Sequence, residues 1–198
     1  MKLIIASNNA HKVAEIKAIL APYFNSIQSL KDARLDIDVV EDGKTFAENA
    51  LKKAREVLAV SDADAALSDD SGLEVDALFG APGVYSARYA GEGHDDNANN
   101  EKLLQEMKDV PPDKRTCRFV SAVALARREK EPITAVGAVE GKLLYAPRGC
   151  GGFGYDPLFL YEPEGMTFAE LSAAKKNEIS HRACALNALR EAMENERA

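Results

Sequence analysis

The chain has 198 residues, 46% of them hydrophobic, and a formal net charge of -7. This length and composition allow one sizeable hydrophobic core, and we predict a single domain over residues 1–198. The acidic balance leaves no broad basic surface for the phosphates of nucleic acid or of an anionic membrane, so neither is an expected partner. An anionic small molecule would have to be held by a few local cations and a metal ion.

Cysteine usage and the N-terminal sequence indicate the compartment. Cys117, Cys150 and Cys184 are far apart and lack the spacing of a zinc site or a redox motif. The apolar run at residues 2–6 is too short for a signal peptide or a membrane span. We therefore expect reduced thiols and a cytoplasmic location.

The first predicted elements are a strand, a polar turn and a helix. Residues 2–6 form an apolar run typical of a buried strand, and apolar positions from Val13 onward take helical spacing. Residues 7–12, Ser-Asn-Asn-Ala-His-Lys, connect the two. Such a turn can aim backbone N–H groups at an anion, and Lys12 adds a positive charge. The alternative is an ordinary polar connection with an asparagine as helix cap.

A second strand and a second helix are predicted next. Residues 35–39 alternate Leu, Ile and Val with aspartates, which indicates a strand with one solvent-exposed face. Thr45 and Glu48 have the spacing of a capping box at the start of an amphipathic helix. Lys53 lies off the apolar stripe of this helix, and spacing alone does not tell whether its side chain turns toward a site.

Residues 67–72, Leu-Ser-Asp-Asp-Ser-Gly, are the most distinctive stretch of the chain. We predict that a strand ends here in a sharp turn, which would present carboxylate oxygens at the sheet edge. Adjacent side chains in an extended segment point to opposite sides, so Asp69 and Asp70 should have different roles, one facing a metal ion or a water and the other bracing the loop. The alternative is an ordinary turn in which Asp and Ser cap their own backbone.

The middle of the chain contains a predicted loop, a helix and two further strands. Residues 80–89 form a loop rich in glycine and proline, and Asp95 or Asp96 can cap the helix that follows. Residues 116–126 predict a long strand that is covered on both faces, and a charged turn returns it as a hairpin over residues 133–139. Antiparallel pairing here beside parallel neighbours predicts a mixed sheet.

A glycine-rich segment with two aromatic residues, residues 149–157, follows the hairpin. Its glycines would let the backbone approach a flat ligand closely while Phe153 or Tyr155 stacks on it. The alternative is a β-bulge or a wide hairpin with the aromatic residues in the core.

The C-terminal region predicts a helical turn capped by Thr167 and Glu170 and then one final helix with apolar residues from Ile179 to Met193. Basic residues at the beginning of a helix oppose its dipole unless an anion offsets them, which favours a bound anion here. The alternative is solvated lysines and a histidine at the edge of the core. These basic residues are Lys175, Lys176, His181 and Arg182.

Together these stretches imply three kinds of group: acids for a divalent cation, bases for phosphate, and a loop for a planar heterocycle. Metal, phosphate and base together describe a nucleoside triphosphate. The acids are Glu41, Asp69 and Asp70, the bases are Lys12, Lys53, Lys176 and Arg182, and the loop is residues 153–156 with His181.

Six motifs stand in the order found in one family, and the chain resembles that family over residues 2–190. It is similar to the non-canonical purine NTP pyrophosphatases, the inosine triphosphate pyrophosphatase family, also called RdgB-like or Ham1-like. The motifs occupy residues 7–12, 45–50, 68–73, 80–89, 151–157 and 180–182.

The resemblance implies an α/β fold, with a long mixed sheet flanked by helices in two lobes and the substrate in a central cleft. It implies a Mg²⁺-dependent homodimer that hydrolyses ITP, dITP and XTP to the monophosphate and pyrophosphate. A Maf-like pyrophosphatase for other modified nucleotides is the alternative enzyme, and a nucleotide sensor that binds without cleavage is the alternative outside catalysis.

Site residues are also carried over from the resemblance. It implies that Glu41 and Asp70 bind Mg²⁺, that Asp70 is the proton acceptor, and that Lys53 contacts the triphosphate. Because Asp70 would have to be both ligand and base, we expect Asp69 to share one of these roles. The remaining residues implied to contact substrate are Ser7, Asn8, Asn9, Ala10, His11, Lys12, Ser71, Phe153, Gly154, Tyr155, Asp156, Lys176, His181 and Arg182.

Selectivity is expected to come from position 6 of the purine. Inosine and xanthosine carry a carbonyl acceptor there, whereas adenosine carries an amino donor. A donor from His181, Arg182 or a backbone N–H of the glycine-rich loop would favour the carbonyl, and each mispaired group costs about 1–3 kcal/mol.

Overall fold

The computed structural model describes residues 1–196, and this part of the chain contains seven strands and five α-helices. The strands are β1 (Lys2–Ile5), β2 (Ser26–Ser29), β3 (Ala65–Val75), β4 (Thr116–Arg127), β5 (Lys130–Leu143), β6 (Phe159–Tyr161) and β7 (Met166–Thr167). The helices are α1 (Ala10–Leu20), α2 (Phe46–Ala59), α3 (Asp96–Glu106), α4 (Ala173–Ile179) and α5 (His181–Asn195). None of the described helices is long and apolar enough to cross a membrane.

The strands form one mixed sheet in the order β2-β1-β3-β4-β5-β6-β7. β1 runs parallel to β2 and to β3. β6 runs antiparallel to β5 and to β7. Only two residues join β4 to β5, and a connection this short can link antiparallel neighbours but not parallel ones. The predicted hairpin and the predicted mixed α/β sheet are confirmed.

The described chain forms two compact units. The first unit contains Met1–Asp70, Ser121–Gly137 and the described residues from His181 onward, and the second contains Ser71–Val120 and Ala138–Ser180. The three long strands β3, β4 and β5 each contribute residues to both units.

The core of the first unit packs α1 and α5 against apolar strand residues. Ile16 and Leu20 of α1, Leu186 and Leu189 of α5, and Leu67 of β3 are all fully buried in one cluster. Burying each such side chain contributes about 1.5–3 kcal/mol relative to leaving it exposed. This packing fixes the positions of both helices, and with them the residues in their first turns.

The core of the second unit is built around aromatic rings. Phe119, Phe159 and Phe168 contact one another, with ring centroids 4.6 to 5.6 Å apart. The buried guanidinium of Arg115 donates hydrogen bonds to the carbonyl oxygens of Met107 and Leu143 and so joins the end of α3 to the end of β5. These contacts give the second unit a rigid support for its loops.

The predicted strand at residues 35–39 is wrong, and the strand paired with β1 is β2, which the sequence analysis missed. Residues 35–39 do alternate between more and less buried side chains, as the pattern indicated, but they form no strand. β2 has the sequence Ser-Ile-Gln-Ser, in which a single apolar residue gives almost no periodic signal.

The predicted sharp turn at residues 68–72 is also wrong. β3 continues through the acidic stretch from Ala65 to Val75, so Asp69 and Asp70 lie inside a strand. Carboxylates are normally unfavourable there, and partners from other elements compensate for their burial. The predicted opposite orientation of the two side chains holds, because Asp69 and Asp70 contact different elements.

The predicted final helix is two helices. Ser180 has an extended conformation (φ -68°, ψ 158°), which ends α4 and lets α5 begin at His181. Ser172 caps α4 by accepting a hydrogen bond from the Lys175 N–H. Thr167 belongs to β7 rather than to a helix, although Glu170 accepts a hydrogen bond from its N–H.

Candidate functional site

The loop before α1 is organised by asparagine. Asn9 Oδ1 accepts hydrogen bonds from the N–H groups of His11 (3.0 Å) and Lys12 (3.1 Å), and Ser7 Oγ accepts one from the Asn9 N–H (3.1 Å). The helix cap proposed as the alternative is therefore present. These two N–H groups of the first turn are bonded to the cap and are therefore not directed at an external anion.

Asp69 in β3 is a buried carboxylate held by two cations and a hydroxyl. Lys12 Nζ lies 2.7 Å from Oδ2. Arg182 reaches the carboxylate through Nε, 3.2 Å from Oδ1, and Nη2, 3.1 Å from Oδ2. Ser121 Oγ also donates to Oδ1, and Arg182 Nη1 pairs with Glu15. One carboxylate thus ties the first turn of α1 to the first turn of α5.

These contacts decide the protonation of Asp69. Burial alone would raise its pKa, but the charges of Arg182 and Lys12 outweigh burial and hold the pKa well below its usual range. A carboxylate that stays ionised beside two cations is a weak proton acceptor. It is well suited to hold Lys12 and Arg182 in place.

Asp70 has a different environment on the other side of β3. Burial, helped by the negative charge of Glu41, raises the pKa of Asp70, while Lys12, Asn49 and Lys53 only partly oppose the change. Its side chain is 7% exposed. A carboxylate with a raised pKa is a better proton acceptor than an ordinary one.

Asn49 is a site residue that the sequence analysis missed. Its Nδ2 donates to Asp70 Oδ2 (3.0 Å), and its Oδ1 accepts from the Gly43 N–H (2.7 Å). Asn49 is buried on α2, and its amide group joins the Gly43 backbone to the Asp70 carboxylate. The signal in the sequence is its place in the motif at residues 45–50, as a polar residue within the buried stretch of this helix beside the confirmed capping box of Thr45 and Glu48.

Glu41 and Lys53 form an ion pair of 2.7 Å in the first unit. The negative charge of Glu41 helps to raise the pKa of Asp70, so the two carboxylates lie near each other. Of the two, Asp70 is the one that is buried. Among residues 1–196, no group of three or more His, Cys, Asp or Glu side chains could hold a metal ion by itself. Two carboxylates suit a hard divalent cation that takes its other ligands from water and phosphate.

His181 and Arg182 begin α5 and are almost completely buried. Gly137 of β5 allows this helix to approach closely, since a Cβ there would lie 2.4 Å from the His181 carbonyl oxygen and 2.3 Å from the Ala185 nitrogen. The anions found near Arg182 are the protein's own Asp69 and Glu15. The unfavourable charge at the helix start therefore has an internal counterion.

In the second unit, Asp156 organises the glycine-rich loop. Its Oδ2 accepts from the Phe153 N–H (2.9 Å) and pairs with Lys176 Nζ (2.6 Å), which also lies 4.6 Å from the Phe153 ring centroid. Asp156 and Lys176 are buried. Gly152 is required, because a Cβ there would lie 2.0 Å from Asp156 Oδ2. The loop is preorganised by an internal ion pair.

Tyr155 and Ser86 connect this loop to β3 inside the second unit. The Tyr155 hydroxyl donates to the Ser86 carbonyl oxygen (2.9 Å), and Ser86 Oγ accepts from the Leu73 N–H (2.9 Å). Gly72, next to Ser71, allows the approach, since a Cβ at this position would lie 2.3 Å from Ser86 Oγ. The aromatic residue that could have stacked on a ligand, Tyr155, is instead buried in the core.

The structure therefore brings the predicted residues together in two groups. In the first unit, the contacts and charges described above connect Lys12, Glu41, Lys53, Asp69, Asp70 and Arg182. In the second unit, they connect Phe153, Asp156 and Lys176. Ser7, Asn8, Asn9, Ala10, His11 and His181 lie in the first unit, and Ser71, Gly154 and Tyr155 lie in the second.

Comparison with family models gives one match. The model described as the Ham1 family matches residues 3–192. Curated relatives extend over nearly the whole chain. A dITP/XTP pyrophosphatase of Clostridium perfringens is 51% identical over 195 residues, which cover 96% of each chain. A protein of the same name from Desulforamulus reducens is 51% identical over 196 residues, which cover 98% of this chain and 94% of the relative.

Solved structures agree with these matches. The Staphylococcus aureus Ham1 protein superposes with a TM-score of 0.87 at 39% identity, covering 99% of this chain and 100% of that one. A structure titled nucleoside-triphosphatase / dITP/XTP pyrophosphatase from Mycobacterium abscessus gives 0.76 at 42% identity, covering 96% and 98%. Fold and sequence thus point to the same relatives over the same length.

Proposed function

Because this chain belongs to the Ham1 family, we propose that it hydrolyses ITP, dITP and XTP to the nucleoside monophosphate and pyrophosphate. Relatives that are about half identical over almost the entire chain carry the name dITP/XTP pyrophosphatase. The structural observation that supports this most strongly is the arrangement around Asp70. A buried carboxylate with a raised pKa lies among Lys12, Lys53 and Glu41, an arrangement suited to a general base beside cations that stabilise phosphate charge.

Mg²⁺ is the proposed cofactor, with Glu41 and Asp70 as its protein ligands. The two neighbouring carboxylates repel each other, and a divalent cation would offset this repulsion. Hard oxygen ligands and a low number of protein ligands fit Mg²⁺. When bound, this ion would neutralise charge on the phosphate oxygens and acidify a water molecule.

Asp70 is proposed to accept the proton of the attacking water. Burial and Glu41 raise the pKa of Asp70 in the absence of a metal ion, and the carboxylate oxygen left free by Mg²⁺ would take the proton as the water attacks the α-phosphate. Asn49 holds Oδ2 and thereby orients the carboxylate. The two lysines whose charges act on Asp70, Lys12 and Lys53, would stabilise the negative charge that develops on the leaving pyrophosphate.

Asp69 is proposed to position cations rather than to transfer protons. Its lowered pKa and its contacts with Lys12 and Arg182 support this division of roles with Asp70. Lys12 is held at the start of α1 by this ion pair, so less conformational entropy is lost when it binds phosphate.

Base recognition is assigned to the group in the second unit. Lys176 lies over the Phe153 ring and pairs with Asp156, so the loop backbone and the aromatic face are fixed before a nucleotide arrives. Hydrogen-bond donors would select the carbonyl at position 6 of hypoxanthine or xanthine over the amino group of adenine.

The decisive experiment measures products. Purified protein with Mg²⁺ is expected to release pyrophosphate from ITP and XTP much faster than from ATP or GTP. The rate of pyrophosphate release is measured for a panel of eight nucleotides that includes modified pyrimidine nucleotides. Orthophosphate as the first product, or comparable turnover of ATP, would contradict the proposal. Faster hydrolysis of modified pyrimidine nucleotides would support the Maf-like alternative, and calorimetric binding without turnover would support a sensor.

We also propose that the protein is a homodimer. In the second unit, Phe79 is completely exposed and Tyr85 is 59% exposed, so two large aromatic side chains are available to a second copy. Sedimentation equilibrium is expected to give twice the chain mass, and Phe79→Ser is expected to weaken the association.

Three free cysteines are compatible with the reducing cytoplasm, where we propose that the protein acts.

A further inference from the structure

Helix α3 is bonded to one residue of the glycine-rich loop, Gly154, through both of that residue's backbone polar groups. The Gly154 N–H donates to Asp96 Oδ2 (2.7 Å), and the Gly154 carbonyl oxygen accepts from Asn100 Nδ2 (2.9 Å). Asp96 and Asn100 are four residues apart, so both side chains project from the same face of the helix. Both backbone polar groups of one loop residue are therefore bonded to one helix face.

Gly154 is a residue at which such a restraint has a large effect. Its φ of +60° lies in the left-handed region, which glycine enters without strain but also leaves easily. It follows Phe153, whose N–H is held by Asp156, and precedes the buried Tyr155. Without the two bonds to α3, the peptide groups on either side of Gly154 could rotate while the neighbouring residues stayed in place.

Helix α3 itself is held independently of these two contacts. Asp95 caps the helix through the N–H groups of Asn97 and Ala98. Asn99 is buried and bonds to the Ala90 N–H and the Ala87 carbonyl oxygen. The helix is a fixed support, and Asp96 and Asn100 are not needed for its cap.

The side chain of Asn100 also contains a buried polar atom whose hydrogen-bonding capacity is not satisfied. Its Oδ1 is buried and has no hydrogen-bond partner in the described part of the chain. An apolar residue of similar size would remove this unpaired acceptor, but it would also leave the Gly154 carbonyl oxygen without its bond to Nδ2. The bond to Gly154 therefore accounts for the amide at this position.

We propose that Asp96 and Asn100 are positioning residues that fix the loop at residues 153–156 for recognition of the purine. This inference rests on the proposed function, in which that loop contacts the base. It also has a consequence for selectivity: the N–H groups of Phe153 and Gly154 are bonded to carboxylates, so neither is available as the donor to position 6.

The test uses Asp96→Ala, Asn100→Ala and the conservative Asp96→Asn, which keeps an acceptor. Asn97→Ala is the matched control, because Asn97 is an exposed asparagine on the same helix. We expect the two alanine variants to raise KM for ITP about tenfold, the loss associated with about one hydrogen bond, while kcat changes less than twofold. Asp96→Asn and Asn97→Ala should stay near the wild-type values.

Product inhibition separates positioning from general damage. Inosine monophosphate carries the base, so its inhibition should weaken in parallel with KM in the two alanine variants, whereas inhibition by pyrophosphate should not change. Equal weakening of both inhibitors, or a fall in kcat without a change in KM, would overturn the proposal.

Hydrogen exchange of residues 150–157, measured without nucleotide, tests the restraint by itself. Exchange should be faster in both alanine variants than in Asn97→Ala. Unchanged exchange would refute the restraint even if ITP is the substrate. Absence of pyrophosphate release by the wild-type protein would refute the proposed function whatever the exchange data show.

Discussion

At the scale of single residues, two adjacent carboxylates of one strand have opposite properties because of their partners. Asp69 is stabilised as an anion by Arg182 and Lys12, whereas burial and Glu41 raise the pKa of Asp70. The sequence allowed a division of roles, because neighbouring side chains in a strand point apart. It could not tell which acid has which role, since the deciding partners are up to 113 residues away.

The role proposed for Asp70 predicts the effect of Asp70→Asn. The amide keeps the shape of the side chain but cannot accept the proton, so turnover of ITP should fall at least about 100-fold. Calorimetry should still detect nucleotide binding. Asp42→Asn is a suitable control, because Asp42 is exposed near Glu41 and pairs with Lys52. Near-normal turnover in Asp70→Asn would remove this residue from the mechanism.

The contacts of Asp69 predict a pH-dependent stability difference. Asp69→Asn leaves Arg182 buried with one counterion fewer, and the free energy of unfolding at pH 7 should fall by about 3–5 kcal/mol. Because the folded-state pKa of Asp69 is lowered, its contribution is fully present above the unfolded pKa of about 4 and is lost as the pH falls through the folded value.

Denaturant unfolding at several pH values checks this prediction. The difference between wild type and Asp69→Asn should be constant from pH 7 to about pH 5 and should narrow below about pH 4. Asp36→Asn, at an exposed carboxylate, should not change stability. A difference between wild type and Asp69→Asn that does not depend on pH would show that the ion pairs with Asp69 are not its cause.

At the scale of elements, hydrophobic periodicity predicted the helices and the long hairpin but failed where partners decide the structure. Residues 35–39 alternate in burial and yet form no strand, while β2 pairs with β1 despite a weak pattern. The acidic residues 69 and 70 continue β3 because Arg182, Lys12 and Asn49 compensate for their burial. Local sequence contains no information about such partners.

The close approach of β5 to α5 predicts the effect of Gly137→Ala. A methyl group there would collide with backbone atoms of His181 and Ala185, which cannot move without displacing the helix. Unfolding free energy should fall by about 1–3 kcal/mol, and activity should fall because Arg182 and His181 shift. Gly93→Ala, which has no atom within 4 Å of the added carbon, should leave both unchanged.

At the scale of the whole molecule, thiol reactivity reports on unfolding. Cys150 and Cys184 are exposed, whereas burial raises the pKa of Cys117 to about 12. At pH 8, a thiol reagent should modify two cysteines rapidly and Cys117 only as fast as the core of the second unit opens. Mass spectrometry of the native and denatured protein checks this, and rapid labelling of all three thiols in the native state would contradict it.

The alternation of the chain between its two units affects how it can fold during synthesis. The chain crosses from one unit to the other after Asp70, Val120, Gly137 and Ser180. The core of the first unit needs Leu186 and Leu189, which are translated after its other segments and after the whole of the second unit. Until α5 emerges from the ribosome, the apolar faces of β1 and α1 lack this covering, so the first unit must stay incompletely folded while the second unit is being synthesised.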